Sequence, residues 1–395
     1  MKLSSKKKKE ESRYKHNAIT NLQNKNIPKA IENFIKALEE EPSDVYCLKM
    51  LGYCYYLVGN YDAAIKLYKK VLALKPDLAD VYNNLGNVYY KINKIDEAIE
   101  AYTNSIKYNP ENQNAYFNLG NLYSHKGDYQ KAIEAYENVL KINDKNAKAC
   151  NNLGNAYYQT EQYDKAIEYL EKAAKLDGNL ATAYNNLGNA YAKIGQMEKA
   201  IDAYKNSIFV NPDIPETYKN LAITHVENKE YDKAVHLFKK LSIMQPQDPE
   251  PFIKLGHSHF EKREFNKAID AYLNAILIDP KPEFYIFLGD SYIEKRAWDK
   301  AIEAYDKAIS KDPNKVEYYV KLGIACTNYG NYSKAIESFE NAIKLAPKHP
   351  EAYYNMGRVY ALKEDKENQL KYYKLAAKYG DKEVQNWLKE RGHSW

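Results

Sequence analysis

The chain has few cysteines and no pattern among them. Cys47, Cys54, Cys150 and Cys326 are the only four in 395 residues, and none forms a C-x-x-C pair. That spacing argues against a disulfide framework and against a thiolate zinc site. No run of about 18 apolar residues occurs, so no membrane-spanning helix is expected. The opening MKLSSKKKKEESRYKHN lacks the apolar stretch of a secretory signal. The expected compartment is therefore reducing and cytoplasmic. Charge is nearly balanced, with 58 Lys and Arg against 53 Asp and Glu, a net of +5, so the total gives no pull toward polyanions. The eight histidines include no H-E-x-x-H pair, and neither a glycine-rich phosphate loop nor a nucleophile elbow is visible. His257 and His259 stand two apart, a spacing that does not share a helix face. The chain is expected not to be an enzyme, with no cofactor, no metal and no small-molecule substrate.

A strict period is present instead. Glycine follows an apolar residue at Gly52, Gly86, Gly120, Gly154 and Gly188, at 34-residue intervals. Ala222 takes the next beat, and Gly256, Gly289, Gly323 and Gly357 follow, with one residue missing near Pro280 to Pro282. Proline keeps the same beat at Pro42, Pro76, Pro110, Pro212, Pro246, Pro280, Pro313 and Pro347. Alanine does so at Ala64, Ala98, Ala132 and onward to Ala335. A mid-helix glycine costs roughly 1 kcal/mol against alanine. Nine such costs in one phase imply that the missing side chain is needed, as clearance where two helices cross. Tyr82, Leu85 and Tyr89 fall at i, i+3 and i+7, one helical stripe. Proline disfavours the α region in the residue before it and so ends each second helix. The unit is helix, turn, helix, turn.

The runs YNNLGNAYAKIGQMEKAIDAYKNSIFVNP (184–212) and YFNLGNLYSHKGDYQKAIEAYENVLKIN (116–143) closely resemble the tetratricopeptide repeat. The resemblance implies an all-α fold, a right-handed α-solenoid of stacked antiparallel helix pairs. Its expected organisation is a basic disordered tail over 1–13, a degenerate first repeat over 14–44, ten tandem repeats over 45–383 and a capping helix over 384–395. It also implies that the first helix of each pair lines a groove and that the chain is a scaffold or adaptor holding an extended peptide segment of a partner protein.

Offsets of −6, −2, +1 and +5 from the in-phase glycine mark one stripe on each first helix. The stripe is apolar in the first full repeat, at Tyr46, Met50, Tyr53 and Leu57. It then becomes an asparagine ladder, with Asn84, Asn87, Asn118, Asn121, Asn152, Asn155, Asn186, Asn189 and Asn220, and Lys148 at one edge. A side-chain amide offers donors and an acceptor without charge, so a row of them can hold peptide main chain. The peptide-binding repeats of the nucleocytoplasmic glycosyltransferase of Ser and Thr look similar in placing Asn before Leu-Gly. Some of these asparagines could instead bond only to a neighbouring repeat. Further on, Glu227, Glu261, Asp290 and Glu294 make the stripe acidic and suited to a basic segment. Glu216, Glu250 and Glu283 lie in first turns, where the helix dipole alone favours a carboxylate.

Two alternatives remain. Asn83, Asn87, Asn118, Lys148 and Asn152 are similar in part to the carboxylate clamp of co-chaperones, with most of its positive charge gone. The cluster Lys6 to Lys9 could meet nucleic acid or an anionic surface. Glu10 and Glu11 dilute it, and no basic stripe interleaved with aromatics faces the groove, so nucleic acid is not the expected partner.

Overall fold

The computed structural model describes the backbone of residues 2–395 and the side chains of residues 13–395. The lysine cluster and most of the expected tail therefore have side chains outside the described residues. The chain divides into two compact units, Met1–Asn211 and Pro212–Trp395.

The first unit holds α1 (Lys2–Gln23), α2 (Ile27–Glu40), α3 (Val45–Leu57), α4 (Tyr61–Leu74), α5 (Ala79–Lys91), α6 (Ile95–Tyr108), α7 (Gln113–Lys126), α8 (Tyr129–Ile142), α9 (Ala147–Gln159), α10 (Tyr163–Leu176), α11 (Ala181–Lys193) and α12 (Met197–Val210). The second holds α13 (Pro215–Glu227), α14 (Tyr231–Met244), α15 (Pro249–Glu261), α16 (Phe265–Ile278), α17 (Pro282–Glu294), α18 (Trp298–Lys311), α19 (Val316–Tyr329), α20 (Tyr332–Leu345), α21 (Pro350–Leu362), α22 (Lys366–Lys378) and α23 (Lys382–Glu390). From α1 to α22, within each unit, each odd-numbered helix packs on the even-numbered helix that follows and each pair packs on the next, while α23 packs on α22. Each unit is thus a stretch of α-solenoid, all-α among the described residues.

The in-phase glycines do what their cost implies. A Cβ added to Gly86 would stand 2.6 Å from the ring of Tyr102, and one added to Gly52 would stand 2.9 Å from Tyr68. The ring that fills the space is a fully buried tyrosine of the second helix, as at Tyr68, Tyr136, Tyr272 and Tyr305. Leu170 takes this place against Gly154, and Phe339 against Gly323. The in-phase alanines Ala64, Ala98, Ala132 and Ala166 are wholly buried.

Turns are set locally. Inside each pair the chain reverses through one left-handed residue: Gly59, Gly127, Gly195 and Gly330 in four repeats, but Asn93, Glu161, Lys229 and Arg263 in others. A bond from Lys94 N to Tyr89 O at 2.9 Å closes that turn, and Gln162 N to Tyr157 O at 2.9 Å repeats it. These are Schellman-type closures of orphan carbonyls. Asn60, Asn112, Asn146 and Asn331 cap helix N-termini through their side chains, which accounts for part of the asparagine content. The turn before α17 holds only residues 279–281, where Lys281 Nζ lies 3.0 Å from Asp279. At the end of the chain, Val384 and Leu388 of α23 are buried against Tyr353, Ala376 and Ala377, and the Trp387 ring meets Tyr373 edge-on.

All four cysteines are buried and free. Burial pushes the Cys54 thiol up to about 11, and burial with the Asp44 charge pushes Cys47 up to about 12. A thiol with so little thiolate at neutral pH is a poor nucleophile.

Candidate protein-interaction surface

The ladder asparagines of the first unit do not stand alone. Tyr102 on α6 donates its hydroxyl to Asn87 Oδ1 at 2.8 Å. Asn118, on the first helix of the next repeat, donates Nδ2 to the same Oδ1 at 3.0 Å and to Asn83 Oδ1 at 3.1 Å. One repeat on, Tyr136 donates to Asn121 Oδ1 at 2.7 Å, and Asn152 Nδ2 donates to that oxygen at 2.9 Å. The asparagines are half-buried and the two tyrosines are buried. Each rung therefore joins a +1 asparagine, the tyrosine fifteen residues later and the −2 asparagine of the following repeat.

The rung needs both an amide at +1 and a hydroxyl on the second helix. Asn84 has no rung because Tyr53 stands at the preceding +1 position, and among the described residues its amide has no partner. Asn155 faces Leu170, which carries no hydroxyl, and Asn186 turns instead to Asn151 Oδ1 at 3.1 Å. Asn151 in turn donates to Asn152 Oδ1 at 3.0 Å. Tyr204 donates to Asn189 Oδ1 at 2.8 Å. Lys148 is exposed in the first turn of α9 and is no part of a rung.

The rungs also fix which amide atoms are left. Asn87 and Asn121 accept twice through Oδ1, while their Nδ2 groups have no acceptor among the described residues. Asn118 commits both amide protons and keeps its oxygen. Neighbouring positions thus offer a donor and an acceptor, the two groups that peptide main chain requires.

In the second unit the same register carries other chemistry. Asp290 accepts from Tyr305 at 2.7 Å and from Lys321 Nζ at 2.8 Å, so its charge is neutralised within the protein. The acidic group expected at this position is thus present, half-exposed and paired with Lys321. His257 Nδ1 lies 3.1 Å from the Tyr272 hydroxyl, and its ring meets Phe287 edge-on at 4.6 Å between centroids. Glu227, Glu261 and Glu294 end their helices exposed, without a cation partner among the described residues. Glu250 pairs with Lys219 at 2.9 Å. Asn220 is half-buried on α13. The apolar stripe of the first unit is partly exposed at Tyr46, Tyr53 and Leu57, with the Lys15 ammonium 5.0 Å above the Tyr46 ring.

The tyrosine partners of the ladder were not singled out as site residues from the sequence. Their signal was the fixed spacing of fifteen between Asn87 and Tyr102 and between Asn121 and Tyr136.

Among the described residues no group of three His, Cys, Asp or Glu could hold a metal ion, and no helix is long and apolar enough to cross a membrane.

Models of the tetratricopeptide repeat match residues 83–147, 181–214, 249–282 and 350–379. A model described as TPR repeat matches 52–93, 154–195, 289–328 and 325–364. No curated protein matches the chain. Among solved structures, MamA is 30% identical over 43% of this chain and 93% of its own, with a TM-score of 0.40. Yeast Tom70 is 17% identical over 96% of this chain and 94% of its own, with a TM-score of 0.38. PilF of Pseudomonas aeruginosa is 19% identical over 52% and 93%, with a TM-score of 0.45. With matching repeats in both units, the chain belongs to the tetratricopeptide repeat proteins, whose stacked helix pairs serve as surfaces for binding other proteins.

Proposed function

We propose that the chain is a protein-interaction scaffold that holds an extended segment of a partner along its first helices. The observation that carries this reading is the rung geometry. Internal bonds fix the amides of Asn87, Asn118 and Asn121, yet leave donors at Asn87 and Asn121 and an acceptor at Asn118. Amides already ordered by the fold lose little further freedom on binding, which favours affinity. Main-chain contacts of this kind tolerate many partner sequences, as in other modes where backbone bonds give affinity and side-chain pockets give specificity.

The test is a peptide selected from a random library on the full chain, titrated against wild type and Asn87→Asp/Asn121→Asp. An aspartate keeps the oxygen that receives Tyr102 and Asn118 but removes the NH2 donor. The proposal expects about a tenfold loss of affinity or more with little change in the melting curve. Unchanged affinity would reject the ladder as the site.

A further inference from the structure

In the second unit both polar rung positions are lost at two places, Ile223 with Phe238 and Ile324 with Phe339, and a hollow stands at the first. Across α13, α14 and α15 the +1 residue is Ile223, the second-helix ring is Phe238 and the −2 residue of the next repeat is Lys254. Neither Ile223 nor Phe238 carries a polar side-chain atom, so Lys254 has no rung acceptor. Its ammonium also makes no ion pair among the described residues. Ala222 stands in the same repeat where the nine other full repeats have glycine. The hollow measures about 600 Å³, well inside the roughly 300–1,000 Å³ typical of ligand sites.

Its lining is of two kinds. Ile223, Val226 and Phe238 give it an apolar wall. Glu227 and Glu261 border it from the last turns of α13 and α15, both exposed and both without a cation partner among the described residues. His257 lines it as well. Burial and then the nearby Lys254 charge hold that imidazole below its ordinary value, so it is neutral at pH 7 and adds no positive charge. Lys254 offsets one of the two carboxylates, which leaves the rim net negative.

We propose that this hollow seats an apolar side chain of an extended peptide whose adjoining residue is lysine or arginine, with the basic group lying against Glu227 and Glu261. The inference rests on the reading of the first-helix face as the protein-binding face and gives it a sequence preference. Lys254 occupies the ladder position that Asn118 and Asn152 hold in the first unit, and it donates to a main-chain carbonyl of the bound segment. Burial of the apolar side chain supplies the attraction, and the carboxylates set the sign of its neighbour.

The experiment uses the full chain and a dye-labelled peptide, Ser-Gly-Ser-Leu-Arg-Lys-Ser-Gly-Ser, followed by fluorescence anisotropy. Two control peptides replace its Leu by Ser, or its Arg-Lys by Glu-Glu. Losing the leucine weakens binding about tenfold, and the glutamate peptide binds more weakly still. Glu227→Gln/Glu261→Gln, a surface change that leaves the core intact, weakens the parent peptide about fivefold and flattens its salt dependence. Ile223→Asn/Phe238→Tyr writes a rung into the gap and removes binding. Absence of saturable binding up to about 1 mM, or an affinity indifferent to both variants, overturns the inference. Loss of the same peptide in Asn87→Asp/Asn121→Asp alone places it on the first-unit ladder. That result also overturns this inference while leaving the proposed function standing.

Discussion

Asn118 Nδ2 lies 3.0 Å from Asn87 Oδ1, although 31 residues separate them. The same oxygen receives the Tyr102 hydroxyl at 2.8 Å. A half-buried amide is thereby held by two repeats at once, so the surface that offers its remaining groups is set by the stacking itself. Order on the first-helix face and cohesion between repeats come from the same atoms.

Removal of one rung hydroxyl measures what the rung contributes to stability. Tyr136→Phe keeps the ring that fills the space at Gly120 but deletes the bond to Asn121 at 2.7 Å. The expected loss is about 1–2 kcal/mol in urea unfolding. Leu170→Tyr supplies the hydroxyl missing opposite Asn155 and is expected to exceed Leu170→Phe in stability by about 1 kcal/mol.

Gly120→Ala tests the packing reason for the glycines. An added Cβ would lie 2.7 Å from the Tyr136 ring, inside contact distance. Overpacking of this kind costs about 1–3 kcal/mol. The opposite sign, stabilisation through alanine's better helix propensity, would contradict the close-approach account.

Glu161 holds a left-handed conformation at φ 59° in the turn between α9 and α10. A β-carbon there costs on the order of 1 kcal/mol, which glycine avoids. Glu161→Gly is expected to raise stability by a similar amount, whereas glycine at a helical position would lower it. Thermal unfolding of the single variant decides the sign.

Alkaline pH should unfold the protein. Burial pushes the hydroxyls of Tyr68, Tyr102, Tyr272 and Tyr305 well above the usual tyrosine range, and burial with the Glu171 contact pushes Tyr191 up to about 12. Between the unfolded value near pH 10 and the raised folded values, the unfolded chain binds fewer protons, so stability falls as pH rises. It is intact below about pH 10 and declines through pH 12 and beyond. Tyrosinate absorbance and helical circular dichroism should change together. Tyrosine ionisation completed at an ordinary pH in a still-helical protein would contradict the burial.

Much of this was legible in the sequence because one period carries several physical requirements. Glycine marked a close approach, and Tyr102 and Tyr136 prove to be what approaches. Proline marked helix ends, and Pro76 and Pro110 follow the C-caps of α4 and α6. The asparagine stripe was visible, but its division of labour was not. Whether Asn118 turns toward a partner or toward Asn87 depends on the approach of one repeat to the next, which no single helix encodes. The same holds for Asp290, whose charge is met by Lys321, 31 residues away. The hollow lies at one of the two places, Ile223 with Phe238 and Ile324 with Phe339, where two polar positions are lost together, a pairing that becomes meaningful only once the rung has been seen.

The most direct test of the central claim is calorimetric titration of a library-selected peptide into wild-type chain and into Asn87→Asp/Asn121→Asp, with both shown to be equally helical. The account predicts saturable binding to wild type and a loss of about tenfold or more in the variant. Equal affinities would contradict it, because the amide donors left over by the rungs would then have no part in holding the partner.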